Sequence, residues 1–217
     1  MDNVEHYILM ADIIGSRTQD QNILSKNFKK LTTIVNDQHK SKMTSPITVT
    51  LGDEFQCITS SLVNSMEIIF LLEEEIINLS INLKLRYVIS KGKIASEINK
   101  EIAWGMMGDG LTHTREFLNS IKKTRKRFFT ASSVVNHSII NEALFIYQSI
   151  MEDWSRERDF PVIKAYIKSE SKDYKEIAKR LHKNPDQIWK REKNMKITEY
   201  FSIKKIIIQL CQGENSA

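Results

Sequence analysis

The hydrophobic pattern of this chain changes once along its length, and that change limits the folds that the chain can adopt. As far as about residue 131, segments of period two are interleaved with segments of helical period. Beyond about residue 136, only the helical period remains. With 217 residues, the chain has the length of one large domain, or of a medium domain and a small one. The pattern predicts an α+β domain over residues 1–150 and a small all-α domain over residues 151–217.

The first part of the chain predicts the element order strand, helix, hairpin, helix, strand, loop, helix, strand. Its clearest strand covers residues 81–89, where apolar and polar side chains alternate. Two further alternating segments meet at Gly52-Asp53, which is typical of a hairpin turn. This order predicts helices packed on a sheet that contains antiparallel strands, in the split βαβ arrangement.

Two aspartates lie where this fold would bring them together. Asp12 ends the first strand, and Asp53 lies in the hairpin turn. In a split βαβ sheet the first strand lies beside that hairpin, so the two carboxylates can converge. Converging carboxylates require a proton or a cation, and oxygen ligands favour Mg²⁺ or Mn²⁺. The alternative is that both are ordinary cap or turn residues, because Gly-Asp is common in hairpin turns.

The segments around these aspartates have features of a phosphate site. Gly15, Ser16 and Arg17 connect the first strand to the following helix, and the backbone N–H groups of such a connection attract anions. Glu54 adds a carboxylate next to Asp53. We therefore predict nucleotide contacts at Gly15, Ser16, Arg17 and Glu54, with the metal ion accompanying the phosphates.

The positive charge of the chain is concentrated in its last quarter. Residues 161–217 contain 13 Lys and Arg but 7 Asp and Glu, a net charge of +6, whereas the whole chain carries +5. This asymmetry favours a nucleic-acid partner for the C-terminal end. The alternative is a lysine-rich surface that is simply solvated.

Within this basic part, residues 173–192 have the spacing of a helix-turn-helix. Asn184 suits the N-cap of the second helix, and Pro185 suits its first position. The DNA contacts predicted on the second helix are Gln187, Lys190, Arg191 and Lys193. Gln and Arg side chains can contact base edges, and Lys side chains can pair with phosphates. A helical bundle used for dimerisation or partner docking has the same pattern and remains the alternative.

Several stretches of the sequence resemble known proteins. ADIIGSR and TLGDEFQ resemble the two metal-carrying segments of the class III nucleotidyl cyclase and GGDEF palm superfamily. Over almost its full length the chain resembles the SatD family of bacterial proteins, in the stretches ADIIGSR, VTLGDEFQ, LKLRYVISKGKIASEIN, GMMGDGLTHTRE and EIAKRLHKNPDQIWKR. The resemblance implies a ferredoxin-like, cyclase-type sheet followed by a helix-turn-helix.

The resemblance also implies roles for individual residues. Asp12 and Asp53 would be paired metal ligands, with the backbone carbonyl of Ile13 as a third. Arg115, on the helix after the glycine-rich loop, would contact phosphate. Related palm domains often form dimers around the site, which implies a homodimer here.

Two positions depart from the pattern of active cyclases. Val49 stands where those enzymes usually carry a base-reading Lys, and Leu111 stands where an Asn usually precedes the Arg by four residues. The comparison therefore favours binding of a metal and a triphosphate over cyclisation, and it assigns no catalytic residue.

No segment of the sequence predicts export or membrane insertion. The N-terminal stretch lacks the basic region and the small-residue cleavage site of a signal peptide. No apolar run approaches the roughly 18–20 residues that a membrane-spanning helix needs. We therefore expect a cytoplasmic protein without a membrane partner.

Together these features predict a bacterial regulatory or signalling protein, in which a metal- and nucleotide-binding domain is coupled to a DNA-binding helix-turn-helix. One alternative is an enzyme, a metal-dependent nucleotidyl cyclase or nucleotidyltransferase whose metals activate a hydroxyl group. The other is a non-catalytic protein-interaction adaptor, in which both aspartates serve only as turn residues.

Overall fold

The computed structural model describes residues 4–213 and contains one five-stranded sheet. The strands are β1 (Glu5–Ile13), β2 (Met43–Val49), β3 (Glu54–Thr59), β4 (Leu85–Lys93) and β5 (Phe128–Thr130). The α-helices are α1 (Gln21–His39), α2 (Leu62–Leu79), α3 (Asp109–Ile121), α4 (His137–Glu152), α5 (Phe160–Ile167), α6 (Tyr174–Leu181), α7 (Pro185–Asn194) and α8 (Ile197–Gln212). The predicted mixed α+β class is confirmed.

The strands lie in the order β2-β3-β1-β4-β5. β1 is antiparallel to both of its neighbours, and β5 adds to β4 in parallel. The elements from β1 to β4 follow the β-α-β-β-α-β order of the split βαβ unit. β4 begins at Leu85, later than the alternating pattern predicts. The N–H of Ile81 donates to the carbonyl of Ile76, so Ile81 still continues the end of α2.

Helices cover both faces of the sheet. On β1, Leu9 belongs to the core beneath α1 and α2, whereas its neighbour Met10 packs with α3 residues on the opposite face. Because successive side chains of a strand point to opposite faces, a strand covered on both sides needs apolar residues throughout. This requirement explains the near-continuous apolar sequence of β1.

The C-terminal helices share the core of the sheet. Tyr147 of α4 packs edge to face on Phe128 of β5 and stacks on Tyr200 of α8. One cluster of buried side chains extends from Leu9 of β1 to Ile207 of α8. Residues 4–213 therefore show no separate C-terminal domain, and the boundary proposed after residue 150 stays a prediction.

α6 and α7 are joined by a tight turn. His182 ends α6 in the left-handed conformation, with φ of 51°. The side chain of Asn184 accepts a hydrogen bond from the N–H of Asp186, which confirms its predicted N-cap role. Ala178 and Ile188 are buried. No helix in the described part of the chain is long and apolar enough to cross a membrane.

Candidate functional site

Two carboxylates lie side by side where β1 ends and β3 begins. Asp12 and Glu54 are cross-strand partners in the β1–β3 ladder, so their side chains lie on the same face of the sheet. Asp12 is buried, with 5% of its surface exposed. Burial raises the pKa of Asp12, and the charges of Arg86 and Lys122 oppose that rise.

Three basic side chains contact these carboxylates. Arg86 of β4 donates from Nη1 to both carboxylate oxygens of Asp12, at 3.3 and 3.2 Å. Lys122, just after α3, places its Nζ 2.9 Å from Oε1 of Glu54 and 3.5 Å from Oδ2 of Asp12. Arg115 of α3 approaches Oε2 of Glu54 at 3.9 Å. We call these five residues the strand-end cluster.

The cluster keeps Lys122 positively charged. Burial alone would lower the pKa of Lys122, but its hydrogen bond to Glu54 and the charge of Asp12 outweigh burial and raise the pKa. The Lys122 and Arg115 side chains are each 35% exposed, so both can be reached from solvent.

Asp53 is held by the loop after β1. Ser16 donates from Oγ to Oδ2 of Asp53 at 2.7 Å, and the N–H of Ile13 donates to the Asp53 carbonyl at 2.9 Å. Gly15 adopts φ of 72°, a left-handed conformation that favours glycine. Arg17 is exposed. The structure therefore joins the predicted loop and hairpin turn.

The sequence profile of the SatD family matches residues 7–211. This chain belongs to the SatD family. A search of curated protein sequences finds no match.

Solved structures with some likeness to this SatD-family chain include nucleotidyl cyclases. A bacterial light-regulated adenylyl cyclase is 14% identical with a TM-score of 0.46, and the match covers 60% of this chain and 44% of the cyclase. A guanylyl cyclase is 17% identical with a TM-score of 0.41, and the match covers 61% of this chain and 77% of that one. The adenylyl cyclase CyaB from P. aeruginosa is 11% identical with a TM-score of 0.39, and the match covers 64% of this chain and 81% of that one. The chain thus spans less than half of the light-regulated cyclase, and likeness at this level assigns neither activity nor ligand.

The strand-end cluster of this SatD-family protein has one feature that suits a divalent metal and others that oppose it. Its oxygen donors suit Mg²⁺ or Mn²⁺ chemically. However, Arg86 and Lys122 already neutralise Asp12, and Asp53 accepts its hydrogen bond from Ser16. In residues 4–213 no group of three or more His, Cys, Asp and Glu side chains is arranged to hold a metal ion. With these contacts in place the carboxylates of Asp12 and Asp53 are held by other side chains, which does not favour a divalent ion there. The centre predicted at Asp12, Asp53 and the carbonyl of Ile13 stays a prediction.

Sequence reasoning missed Arg86 and Lys122. Arg86 lies on the polar side of the alternating segment that became β4, and its partner is Asp12 in the β1–β4 ladder. A charged residue in a strand that is otherwise buried was the available signal for Arg86. Lys122 begins the basic run KKTRKR after α3, which by itself suggests only a solvated surface.

The residues predicted for DNA contact lie on α7. Gln187, Lys190 and Lys193 are exposed there. Arg191 differs from them, because its Nη1 donates to Oδ1 of the buried Asp159 at 2.9 Å. α7 therefore presents the first three residues to solvent and uses Arg191 to contact the segment before α5.

Proposed function

We propose that this SatD-family protein is a regulatory protein whose strand-end cluster binds the phosphates of a nucleotide and whose α6–α7 pair binds DNA. The observation that carries the nucleotide half is the convergence of Arg86, Arg115 and Lys122 at one end of the sheet. Guanidinium and ammonium groups are the side chains that bind phosphate most strongly.

Several features of the cluster would allow its basic side chains to exchange a carboxylate partner for a phosphate. Arg115 is 3.9 Å from Glu54, a long ion pair that is weakly held. The Nε of Arg86 is buried and has no hydrogen-bond partner within the described residues. Ser16 supplies a hydroxyl to Asp53, the chain neighbour of Glu54. A phosphate between these groups would accept hydrogen bonds that the carboxylates only partly satisfy.

The carboxylates have a positioning role in this proposal. Asp12 and Glu54 hold Arg86 and Lys122 at the strand ends in the absence of a ligand. The Mg²⁺ or Mn²⁺ predicted from Asp12 and Asp53 stays a prediction, and so does the predicted homodimer.

Titration calorimetry with ATP and with GTP tests the nucleotide half. We expect the wild type to bind at least one of them with a Kd below about 1 mM. Arg115→Ala should weaken binding about tenfold, because a hydrogen bond between charged groups is lost. Lys123→Ala is the matched control, since Lys123 is an exposed basic neighbour that makes no contact with the cluster carboxylates.

The absence of any binding to folded wild type would contradict the nucleotide half and would favour the adaptor. Release of pyrophosphate from the bound nucleotide would instead identify the chain as a nucleotidyl cyclase or nucleotidyltransferase. Equal binding by wild type and Arg115→Ala would place the ligand elsewhere.

The DNA half is supported by the exposed polar side chains of α7 and by the charge around them. A groove of about 550 Å³ adjoins the helix. Lys183 and Lys190 line it together with Glu157 and with Arg158 and Arg191, which are both paired with Asp159. Such a groove suits the backbone of a nucleic acid, whose binding is dominated by phosphate contacts.

Fluorescence anisotropy with a random-sequence DNA duplex at several salt concentrations tests the DNA half. Lys190→Ala should weaken binding and reduce the slope of log K against log salt by about 1, because one phosphate contact is lost. Lys30→Ala, an exposed basic residue on α1, is the control. No binding of the wild type at low salt would leave partner docking as the role of α6–α7.

A further inference from the structure

The strand-end cluster compensates its carboxylates with basic side chains of this chain alone. Asp12 and Glu54 supply two negative charges, and Arg86, Arg115 and Lys122 supply three positive charges, so the five side chains carry a net charge of +1. Converging carboxylates usually call for an added cation. In this cluster, basic side chains of the same chain supply the positive charge.

Lys122 has the bridging position. One ammonium group reaches carboxylates on two neighbouring strands, at 2.9 Å from Glu54 and 3.5 Å from Asp12. A divalent ion shared by the same two carboxylates would have to lie between them, against the positive charges of Lys122 and Arg86. Like charges at such distances repel strongly where water is scarce.

We propose that the Lys122 ammonium takes the place of a divalent cation at the Asp12–Glu54 pair, so that the cluster binds nucleotide phosphates without a metal ion. The ligand is then a di- or triphosphate that arrives as the free anion, and Arg86 and Arg115 share its charge with Lys122. The ligand part of this inference rests on the proposed function, whereas the metal part concerns the protein alone.

Lys122→Met isolates the charge of the ammonium. Methionine keeps a flexible stem of similar length, and the Lys122 side chain is exposed enough for the variant to fold. Without the ammonium, Asp12 and Glu54 lose a shared cation and become available to a divalent ion. Lys122→Arg keeps the positive charge and should behave as the wild type, and Lys123→Met controls for the loss of a nearby positive charge.

The first measurement is a titration of the protein with Mn²⁺, with free Mn²⁺ followed by electron paramagnetic resonance and no nucleotide present. Wild type and Lys122→Arg should leave the Mn²⁺ signal unchanged, and Lys122→Met should deplete it. Binding of Mn²⁺ by the wild type as tightly as by Lys122→Met would overturn the inference.

The second measurement is the ATP and GTP titration repeated in EDTA and in Mg²⁺. The wild type should bind with affinities that agree within about threefold in the two buffers. Lys122→Met should bind about tenfold more weakly in EDTA and recover in Mg²⁺. Wild-type binding that requires Mg²⁺ would overturn the inference. If the wild type binds no nucleotide in either buffer, the proposed function fails, and the Mn²⁺ titration still decides the role of Lys122.

Discussion

Two groups of charges lie on opposite faces of β4 and differ in how completely they are satisfied. On one face, Arg127 donates from Nη2 to both oxygens of Glu73 at 2.7 Å and from Nε to the carbonyl of Leu85 at 3.0 Å. Tyr87 also donates to Glu73, at 2.9 Å. The Arg127 and Glu73 side chains are 6% and 3% exposed. This pair is buried, and both carboxylate oxygens of Glu73 and the Nε and Nη2 groups of Arg127 have hydrogen-bond partners.

On the other face, the strand-end cluster is open to solvent at Lys122 and Arg115 and is incompletely paired. Its ion pairs range from 2.9 to 3.9 Å, Lys122 and Arg115 reach solvent, and Nε of Arg86 lacks a partner. Breaking a buried, closely paired ion pair is strongly destabilising, because it leaves a charge without compensation. Lys122 and Arg115, which reach solvent, can change partners when an anion arrives. The comparison assigns a structural role to the first group and a ligand-binding role to the second.

The largest effect is expected at the buried pair. Arg127→Met should lower the free energy of unfolding by about 3–5 kcal/mol, because it leaves the Glu73 carboxylate buried and unpaired. Urea unfolding followed by circular dichroism measures this loss. The double variant with Glu73→Leu should recover part of it, because no buried charge remains. A loss below about 1 kcal/mol in Arg127→Met would remove the distinction between the two groups.

A much smaller change in stability is expected at the cluster. Lys122→Met should alter the free energy of unfolding by no more than about 1 kcal/mol, because its ion pairs are partly exposed to solvent. The same urea unfolding experiment measures it, with Lys123→Met as the control. If Lys122→Met destabilised the protein as much as Arg127→Met, the cluster would be structural and its proposed ligand would lose its basis.

Local patterns in the sequence predicted much of the fold. The apolar run of β1, the turn at Gly52-Asp53 and the N-cap at Asn184 each depend on neighbours within a few residues, and the structure contains all of them. The packing of α4 to α8 on the sheet was not predicted, because a helical period gives the apolar face of a helix and not the surface that it covers.

The candidate site was predicted only in part, because local patterns do not reveal contacts between residues far apart in the chain. The positions of Asp12 at a strand end and of Asp53 in a turn could be predicted from local sequence patterns. The structure places Ser16 in contact with Asp53. Arg86 and Lys122 reach Asp12 through the register of β4 and the position where α3 ends. Both depend on contacts between residues far apart in the chain, which periodicity in a single sequence does not reveal.

The most direct test of the central claim is a map of backbone amide chemical shifts in ¹⁵N-labelled protein during a titration with ATP or GTP. Saturable shifts should concentrate at Asp12, the Gly15–Arg17 loop, Arg115 and Lys122, while amides around Glu73 and Arg127 stay unchanged. Shifts concentrated around Arg127, or none at millimolar nucleotide, would contradict the assignment of ligand binding to the strand-end cluster.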